Sequence, residues 1–265
     1  MKKIIYLFSM LTFILTSCSS NDDDSGSATD LILPKIVEIS YPEHSEKNKT
    51  LLITYNGNKI VSAKNEETRT VFTYDGNVIV KEIQYDLIGD KIMETSYSYT
   101  GGKLTSLLYA RNFTSEYPFG EYKGRYVYTY NIDGTIKKET YSINATTGIE
   151  TNNDYTETFI FQNGNLIKLI AVDAMTSIVS TRTSIYEFDS KNNPFKNVLG
   201  YNLLLDQGYS NANNLIKHTY SYSEAESTVS INETVYEYDA KGYPTKQTYY
   251  QEDGVTVGEI REYTY

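Results

Sequence analysis

The sequence predicts an all-β protein, an antiparallel up-and-down meander of about 14 to 17 strands that curls into a barrel or a shell-like sheet. Two observations lead to this fold class. First, a pair of large apolar residues at positions i and i+2, followed by a turn rich in Gly or Asn, recurs from residue 51 onward. Second, no long apolar stripe with the helical period follows residue 35. Segment 170–179 is a short exception, and β-branched residues are frequent around it.

The first 17 residues indicate an export signal. Two lysines near the start precede an apolar stretch, residues 4–15, that is too short for a stable membrane span. Leu15-Thr16-Ser17-Cys18 then fits the bacterial lipobox, in which the cysteine is acylated. We therefore expect residues 1–17 to be removed and Cys18 to carry a lipid that holds the protein on a membrane. The alternative is an ordinary secretory signal followed by a chance cysteine.

Residues 18–34 follow as an acidic tether, which we expect to be flexible and disordered. The run Asn21-Asp22-Asp23-Asp24 resembles the acidic export tag that follows the lipidated cysteine in surface lipoproteins of the Bacteroidota. This resemblance implies a location in the outer membrane with exposure at the cell surface. The alternative is that the three aspartates form a solvated spacer or block retention in the inner membrane.

Composition excludes several functional classes. The 265 residues contain 24 Lys and Arg against 34 Asp and Glu, and this net charge of −10 disfavours binding to nucleic acid. One cysteine and two histidines leave almost no material for zinc sites or cysteine chemistry, so we expect no cofactor and no metal. The 27 tyrosines with no tryptophan are unusual, and Tyr favours strands.

Residues 35–265 are predicted to form a single domain of repeated hairpins. Residues i and i+2 of a strand share one face, so each pair is buried together, and the Asn-Gly and Asp-Gly turns supply the positive φ that tight hairpins need. The pairs are Ile53 and Tyr55, Phe72 and Tyr74, Tyr97 and Tyr99, Tyr128 and Tyr130, Phe159 and Phe161, Tyr186 and Phe188, and Tyr236 and Tyr238. A degenerate copy stands at Tyr209 before Asn213-Asn214, and Tyr263 and Tyr265 begin another.

The spacing of the return strand differs between hairpins. The next apolar residue comes five positions after the second aromatic residue at Ile60, Ile79, Leu104, Leu166 and Tyr243. It comes six positions after at Ile136 and, counted from Tyr209, at Leu215. We therefore expect an extra turn residue or a β-bulge in some hairpins.

Two family resemblances bear on the fold. Tyr238-Asp239-Ala240-Lys241-Gly242 resembles the tyrosine–aspartate repeats of bacterial RHS-type proteins, whose strands build spiral shells, but most copies here lack the aspartate. The layout of residues 50–265 is more similar to a Bacteroidota lipoprotein family of unknown function with a porin-like antiparallel barrel. This resemblance implies a fold and an envelope location but no activity.

The repeated tyrosines form either the core or a surface on which sugars stack. We favour the core, because they occupy a fixed place in every repeat. The second residue of each pair should then face the interior, as at Tyr74, Tyr130, Phe161 and Tyr238. The residue between the pair, such as Thr73, Thr129 or Glu237, should face solvent.

No acid stands out as catalytic. Glu187, Glu237 and Glu262 are predicted to face away from the aromatic pairs into solvent. Glu157 shares a face with Phe159 and Phe161, and we place it near the start of its strand, where it reaches water.

Five lysines recur seven or eight residues after the aromatic pairs. They form cross-strand ion pairs, which we favour, or an anion-binding groove. They are Lys81, Lys138, Lys168, Lys217 and Lys246. Charged runs such as 137–139 break the alternation of a membrane-embedded barrel, so we expect a water-soluble domain.

The sequence thus predicts a lipid-anchored, non-catalytic binding or structural module of unknown ligand. The alternative is a glycan-binding or glycan-degrading accessory protein of the outer membrane. A glycan or an outer-membrane protein is the expected partner besides the membrane itself.

Overall fold

The computed structural model describes residues 31–205, 210–223 and 229–265, so Cys18 and the acidic run lie outside the described residues. Sixteen strands account for most of this part of the chain. They are β1 (Ile36–Ser40), β2 (Lys49–Asn56), β3 (Lys59–Lys64), β4 (Thr68–Asp75), β5 (Val78–Asp86), β6 (Lys91–Thr100), β7 (Lys103–Arg111), β8 (Tyr122–Tyr130), β9 (Ile136–Ile143), β10 (Glu150–Gln162), β11 (Asn165–Asp173), β12 (Ser180–Phe188), β13 (Leu215–Tyr222), β14 (Val229–Tyr238), β15 (Pro244–Tyr250) and β16 (Val257–Thr264).

Every strand pairs antiparallel with its neighbour in sequence, and β1 pairs with β16 to close the sheet. The result is a closed sixteen-stranded up-and-down barrel. The predicted fold class and strand number are confirmed, and the barrel is the correct one of the two predicted closures. Segment 170–179 begins inside β11 and forms no helix. Within the described residues, no helix is long and apolar enough to span a membrane.

The two spacings of the return strand have different structural causes. Tyr74 pairs with Ile79 across a two-residue turn, and a β-bulge next to this pair absorbs one residue of β5. Tyr130 pairs with Ile136 across a longer turn, and the register of this hairpin is continuous. A spacing of five therefore marks a tight turn with a bulge. At the β14–β15 hairpin Tyr238 pairs with Pro244, one residue beyond Tyr243, so this hairpin combines a longer turn with a β-bulge.

The aromatic pairs face the barrel interior as predicted. The first member is the more buried, as at Tyr97, Tyr128 and Phe159. The second member packs against the same core from the turn end of the barrel, as Tyr74 and Phe161 do. The intervening residues Thr73, Thr129 and Glu237 are exposed. The period of two residues in a strand explains both orientations.

One connection departs from the predicted hairpin repeat. Phe188 at the end of β12 pairs with Leu215 at the start of β13, so residues 189–214 form one long connection. Tyr209 lies outside the described residues, but the separate hairpin proposed around it is wrong, because Leu215 takes Phe188 as its partner. Asn213 and Asn214 belong to this long connection rather than to a tight turn.

The described part of this connection folds into the barrel and fills one end; we call residues 193–205 the plug. Phe195, Val198, Tyr201 and Leu204 of the plug are buried in the core. The Tyr201 ring lies 6.4 Å from the ring of Phe72 on β4. A sixteen-stranded barrel is too wide for its wall side chains alone to fill, so the plug supplies the missing core.

Hydrogen bonds fasten the plug to several turns of the wall at the plugged end. The Tyr74 hydroxyl donates to the Leu199 carbonyl at 3.0 Å, and the Leu199 amide donates to the carbonyl of Asn58 at 2.9 Å. Asn197 Nδ2 donates to the Tyr243 hydroxyl in the β14–β15 turn at 2.8 Å. Because the connection leaves β12 and reaches the β2–β3 turn nearly half-way around the closed sheet, the plug crosses the opening.

The chain enters the barrel at this plugged end. Leu33 and Pro34 are buried, and the Tyr55 hydroxyl donates to the Pro34 carbonyl at 2.9 Å. Asn197 of the plug also donates to the carbonyl of Ile32. Among the connections that the structure describes, β1–β2, β3–β4 and β15–β16 lie at the opposite end, which we call the rim.

The outer wall carries cross-strand ion pairs. Lys81 lies 3.1 Å from Glu94, and Lys217 lies 3.5 Å from Glu187. A third pair joins Lys246 to Glu237 at 3.9 Å. The predicted pairing is confirmed for these lysines. Lys138 is also paired across the strands, with Glu157, but this pair faces the barrel interior. The prediction is wrong for Lys168, whose neighbours across the strands are Ile160 and Ile185.

Candidate ligand-binding cavity in the barrel lumen

A cavity of about 1010 Å³ occupies the lumen beside strands β13 to β16. Its floor is formed by Asn193 and Pro194 together with Asn213 and Asn214 from the end of the same connection. Its lining extends up the wall to exposed residues of the rim, including Asp253. The cavity is therefore a cup that the plug closes from below.

Uncharged polar side chains and tyrosines form most of its wall. Asn232 and Thr234 of β14 face Gln247 and Tyr249 of β15, because alternate residues of each strand point inward. Tyr220 of β13 lies on the same wall. Amide groups donate and accept hydrogen bonds, and tyrosine rings add apolar faces.

The two charged side chains deep in the wall neutralise each other. Arg261 and Glu259 both point inward from β16, and Arg261 Nε lies 2.6 Å from Glu259 Oε1. At the rim, Glu252 and Asp253 add negative charge. The cup therefore presents no net positive charge to an incoming anion.

His218 is held in place by stacking. Its ring lies 4.6 Å from the Tyr186 ring at an interplanar angle of 14° and 5.2 Å from the Tyr220 ring. Burial and, to a lesser extent, the positive charge of Arg182 lower the pKa of His218 below 6.5. The imidazole is therefore neutral at pH 7, with one nitrogen that donates and one that accepts.

Two buried atoms of the cup have no hydrogen-bond partner among the described residues, namely Asn214 Oδ1 and His218 Nε2. Asn214 is only 2% exposed, and its Nδ2 donates to Asp189 at 3.2 Å and to the carbonyl of Asn192 at 3.1 Å. An unsatisfied buried polar atom costs about 1–3 kcal/mol. Such atoms on a cavity wall indicate a surface built to meet a hydrogen-bonding ligand or ordered water.

A second lumen cavity of about 400 Å³ contains Lys138 and Glu157. These two side chains form a buried ion pair, and Lys138 Nζ also lies 4.5 Å from the centre of the Tyr126 ring. The Tyr155 hydroxyl donates to Glu157 at 3.0 Å. The prediction that Glu157 reaches water was wrong, because Glu157 lies in the middle of β10 and is 8% exposed.

The other acids considered from the sequence lie outside the lumen. Glu187, Glu237 and Glu262 are exposed on the outer wall, as predicted. In the parts of the chain that the structure describes, no three His, Cys, Asp or Glu side chains group as a metal site. Sequence reasoning missed the cavity floor, because its asparagines were assigned to hairpin turns. The signal that could have found it is the density of asparagine between residues 192 and 214.

The fold and the cup together define the class of the protein: a closed sixteen-stranded antiparallel barrel whose lumen is plugged at one end. A solved porin-like protein from Bacteroides vulgatus has 15% sequence identity to this chain, with a TM-score of 0.61 over 88% of this chain and 98% of its own. A porin-like protein from Bacteroides uniformis has 13% identity and a TM-score of 0.49, over 87% and 97%.

No family model matches the chain, and no curated protein matches it. At 15% identity, the Bacteroides vulgatus structure establishes a shared barrel fold. The resemblance to a porin-like barrel is confirmed at this level.

Proposed function

We propose that this chain is a lipid-anchored protein of the cell envelope that binds a ligand in its barrel lumen without transforming it. The observation that carries the proposal is the plugged lumen. Tyr201 and its neighbours fill the barrel at one end, so a straight path for solute through this end is blocked. What remains is a cup, and a concave cavity of this size with a few convergent polar groups is typical of ligand sites.

The outer wall supports a barrel that stands in water. Lys137 and Glu139 point outward from β9, and Glu187 points outward near the end of β12. A charged side chain that faces lipid is destabilising, and a lysine costs about 2–4 kcal/mol at the bilayer midplane. Ion pairs such as Lys81 with Glu94 continue this charged surface on other strands. A lipid at the N-terminus, rather than the strands, would then supply the attachment to the membrane.

The chain joins the barrel at the end opposite to the opening of the cup. Leu33 and Pro34 join the barrel at the plugged end, and the cup opens toward the rim at the other end. A tether from Cys18 would therefore be attached at the end of the barrel away from the opening of the cup. Exposure at the cell surface would give the cup direct access to external ligands.

The lipid anchor is tested by Cys18→Ala. The full-length chain should incorporate radiolabelled palmitate and fractionate with membranes, and the variant should do neither, because acylation requires the thiol. If Cys18→Ala remains in the membrane fraction while the wild type takes up no label, the protein is not a lipoprotein.

Access to the cup is tested with single cysteines, because Cys18 is the sole cysteine of the sequence. In the Cys18→Ala background, Thr234→Cys places a thiol in the cavity wall and Glu237→Cys places one on the outer wall. A small methanethiosulfonate reagent should modify both sites in the native protein. A Thr234→Cys thiol that reacts only after unfolding would overturn the proposed function, since no ligand could reach the lumen.

A further inference from the structure

We infer that the cup binds a neutral oligosaccharide, an inference that rests on the proposed function and specifies its ligand class. The inference comes from four properties of the cavity: its charge, its hydrogen-bonding groups, its fixed aromatic rings and its size.

The charge of the cup selects against anions. The guanidinium of Arg261 is engaged by Glu259, so the interior offers a balanced pair rather than a free cation. Glu252 and Asp253 at the rim repel negative ligands as they approach. Among the residues that line the cavity, a carboxylated or phosphorylated ligand would meet only Arg261, which Glu259 already engages, and burying an unpaired charge is strongly unfavourable.

The hydrogen-bonding groups match hydroxyls. Asn214 Oδ1 needs a donor, and His218 Nε2 either accepts or donates depending on its tautomer. A sugar hydroxyl satisfies either requirement, because it both donates and accepts. The amides of Asn232 and Gln247 have the same double character on the facing strands. A purely apolar ligand would leave these groups unsatisfied.

The aromatic rings are fixed before any ligand arrives. The hydroxyls of Tyr220, Tyr236 and Tyr263 donate to Glu252, the Leu215 carbonyl and Gln247 at 2.6, 3.0 and 2.9 Å. Because each tip is tied to the wall, the ring keeps its orientation. The apolar C–H faces of a pyranose pack on such rings, and a preorganised ring loses little conformational entropy on binding.

The size indicates more than one sugar unit. The cavity of about 1010 Å³ is at the upper end of the range of roughly 300–1,000 Å³ for small-molecule sites. Its lining extends from Asn214 at the floor to Gln251 at the rim, so an elongated ligand would lie along the wall. A short chain of neutral sugars combines this length with the required hydroxyls.

The two histidines of the chain provide a direct test. Imidazole nitrogen signals of the Cys18→Ala protein, labelled with ¹⁵N-histidine, report His218 inside the cup and the exposed His44 on the β1–β2 connection at the rim. The probes are gluco-, manno-, xylo- and galacto-hexaoses, with hexagalacturonate as the anionic counterpart. We expect at least one neutral hexaose to shift the His218 signals in a saturable way without moving those of His44.

Two adjacent residues of β14 give a matched pair of variants. Asn232→Leu alters the wall of the cup, whereas Glu233→Gln alters the outer wall one residue along. Asn232→Leu should weaken binding of that hexaose about tenfold or more, which corresponds to about 1.4 kcal/mol. Glu233→Gln should bind as the wild type does, and urea melts of both variants will show whether each remains folded.

The outcomes separate the ligand class from the proposed function. A response to hexagalacturonate alone, or to no hexaose while the thiol of Thr234→Cys reacts, would overturn the neutral oligosaccharide and leave the binding cup standing. Equal binding by Asn232→Leu and Glu233→Gln would also overturn it, because the sugar would then bind elsewhere. An unreactive Thr234→Cys thiol would remove the proposed function as well.

Discussion

The hydroxyl of Tyr99 donates to the backbone carbonyl of Ile79 at 2.8 Å and thereby ties one hairpin of the barrel to the preceding one. The same bond joins Tyr130 to Leu104 at 3.1 Å and recurs on either side of the β1–β16 seam, where Tyr265 bonds to the Pro244 carbonyl and Tyr55 to the Pro34 carbonyl. We call this hydrogen bond, from a Tyr hydroxyl to a backbone carbonyl of a neighbouring element, the tyrosine tie. It accounts for the use of Tyr in the repeat, because the ring fills the core while the hydroxyl satisfies a carbonyl at the end of the barrel.

Removal of one tie should have a measurable cost. Tyr99→Phe keeps the ring but leaves the Ile79 carbonyl without this donor, so the free energy of unfolding should fall by about 1 kcal/mol. Burial raises the pKa of the Tyr99 phenol, so the hydroxyl remains a donor at any pH where the fold is studied. Urea melts measure the effect, with Tyr85→Phe, which pairs with Arg69 on the outer wall, as control. Equal losses in the two variants would mean that the tie contributes nothing.

The interior position of the second aromatic residue predicts a larger effect. Tyr130 packs against the core, and the Tyr238 ring stacks on the ring of Tyr236 at 5.9 Å. Tyr130→Ala and Tyr238→Ala should each cost roughly 3 kcal/mol or more, as large-to-small aromatic changes in cores do. Glu237→Gln, adjacent to Tyr238 but exposed, should change stability by less than about 0.5 kcal/mol. Tyrosine variants that melt like the wild type would place these rings outside the core.

Gly200 of the plug should not tolerate a side chain. Its φ of +82° is unfavourable for L-residues, and an added Cβ would lie 3.2 Å from the Asn77 carbonyl oxygen and 3.3 Å from the Ile79 nitrogen. Gly134 has a similar φ of +84° but open space around it. Gly134→Ala should therefore cost about 1–2 kcal/mol from the backbone alone, and Gly200→Ala distinctly more. Chemical denaturation of both variants measures the difference in the free energy of unfolding. Equal losses in the two variants would mean that the plug is not closely packed at Gly200.

Glu82 should make stability depend on pH. Burial raises its carboxyl pKa above the ordinary 4.5, although the hydrogen bond from Tyr97 at 2.8 Å opposes this shift. The folded state therefore binds the proton more tightly, and Glu82 lowers the free energy of unfolding as pH rises from 4.5 through the raised pKa. Glu82→Gln removes this loss.

The stability of Glu82→Gln relative to wild type should thus be higher at pH 7 than at pH 4, measured by urea melts at both values. Tyr97→Phe should make the free energy of unfolding fall more steeply with rising pH, because this change removes the hydrogen bond that favours the charged carboxylate. A difference between Glu82→Gln and wild type that is the same at both pH values would show that Glu82 titrates alike in the folded and unfolded chain.

The sequence was sufficient for the barrel wall because local rules determine it. Side chains alternate between the interior and solvent along each strand, as around Thr129 and Glu237, and glycine turns mark where each hairpin bends. Both features follow from a few neighbouring residues, and each hairpin repeats them. The plug could not be predicted in this way, because its position depends on the width of a barrel that only the closed sheet defines. Its asparagines look like turn residues in isolation.

The two errors in side-chain placement have a similar origin. Lys138 was grouped with the outward lysines by its distance from an aromatic pair. The β8–β9 hairpin has a continuous register, so residue 138 takes the opposite face from its counterpart Lys81. Glu157 can then be buried because Lys138 meets it across the strands. Neither placement follows from either residue alone.

The plug also limits the number of strands that the barrel can have. Each hairpin is bonded to its neighbours, and tyrosine bonds of the same kind flank the seam between β1 and β16, so no single hairpin specifies the total count. The connection that holds the plug leaves β12 and bonds to Asn58 in the β2–β3 turn, nearly half-way around the closed sheet, so its length must match the width of the opening. We therefore expect related chains with a different number of hairpins to have a connection of different length in its place.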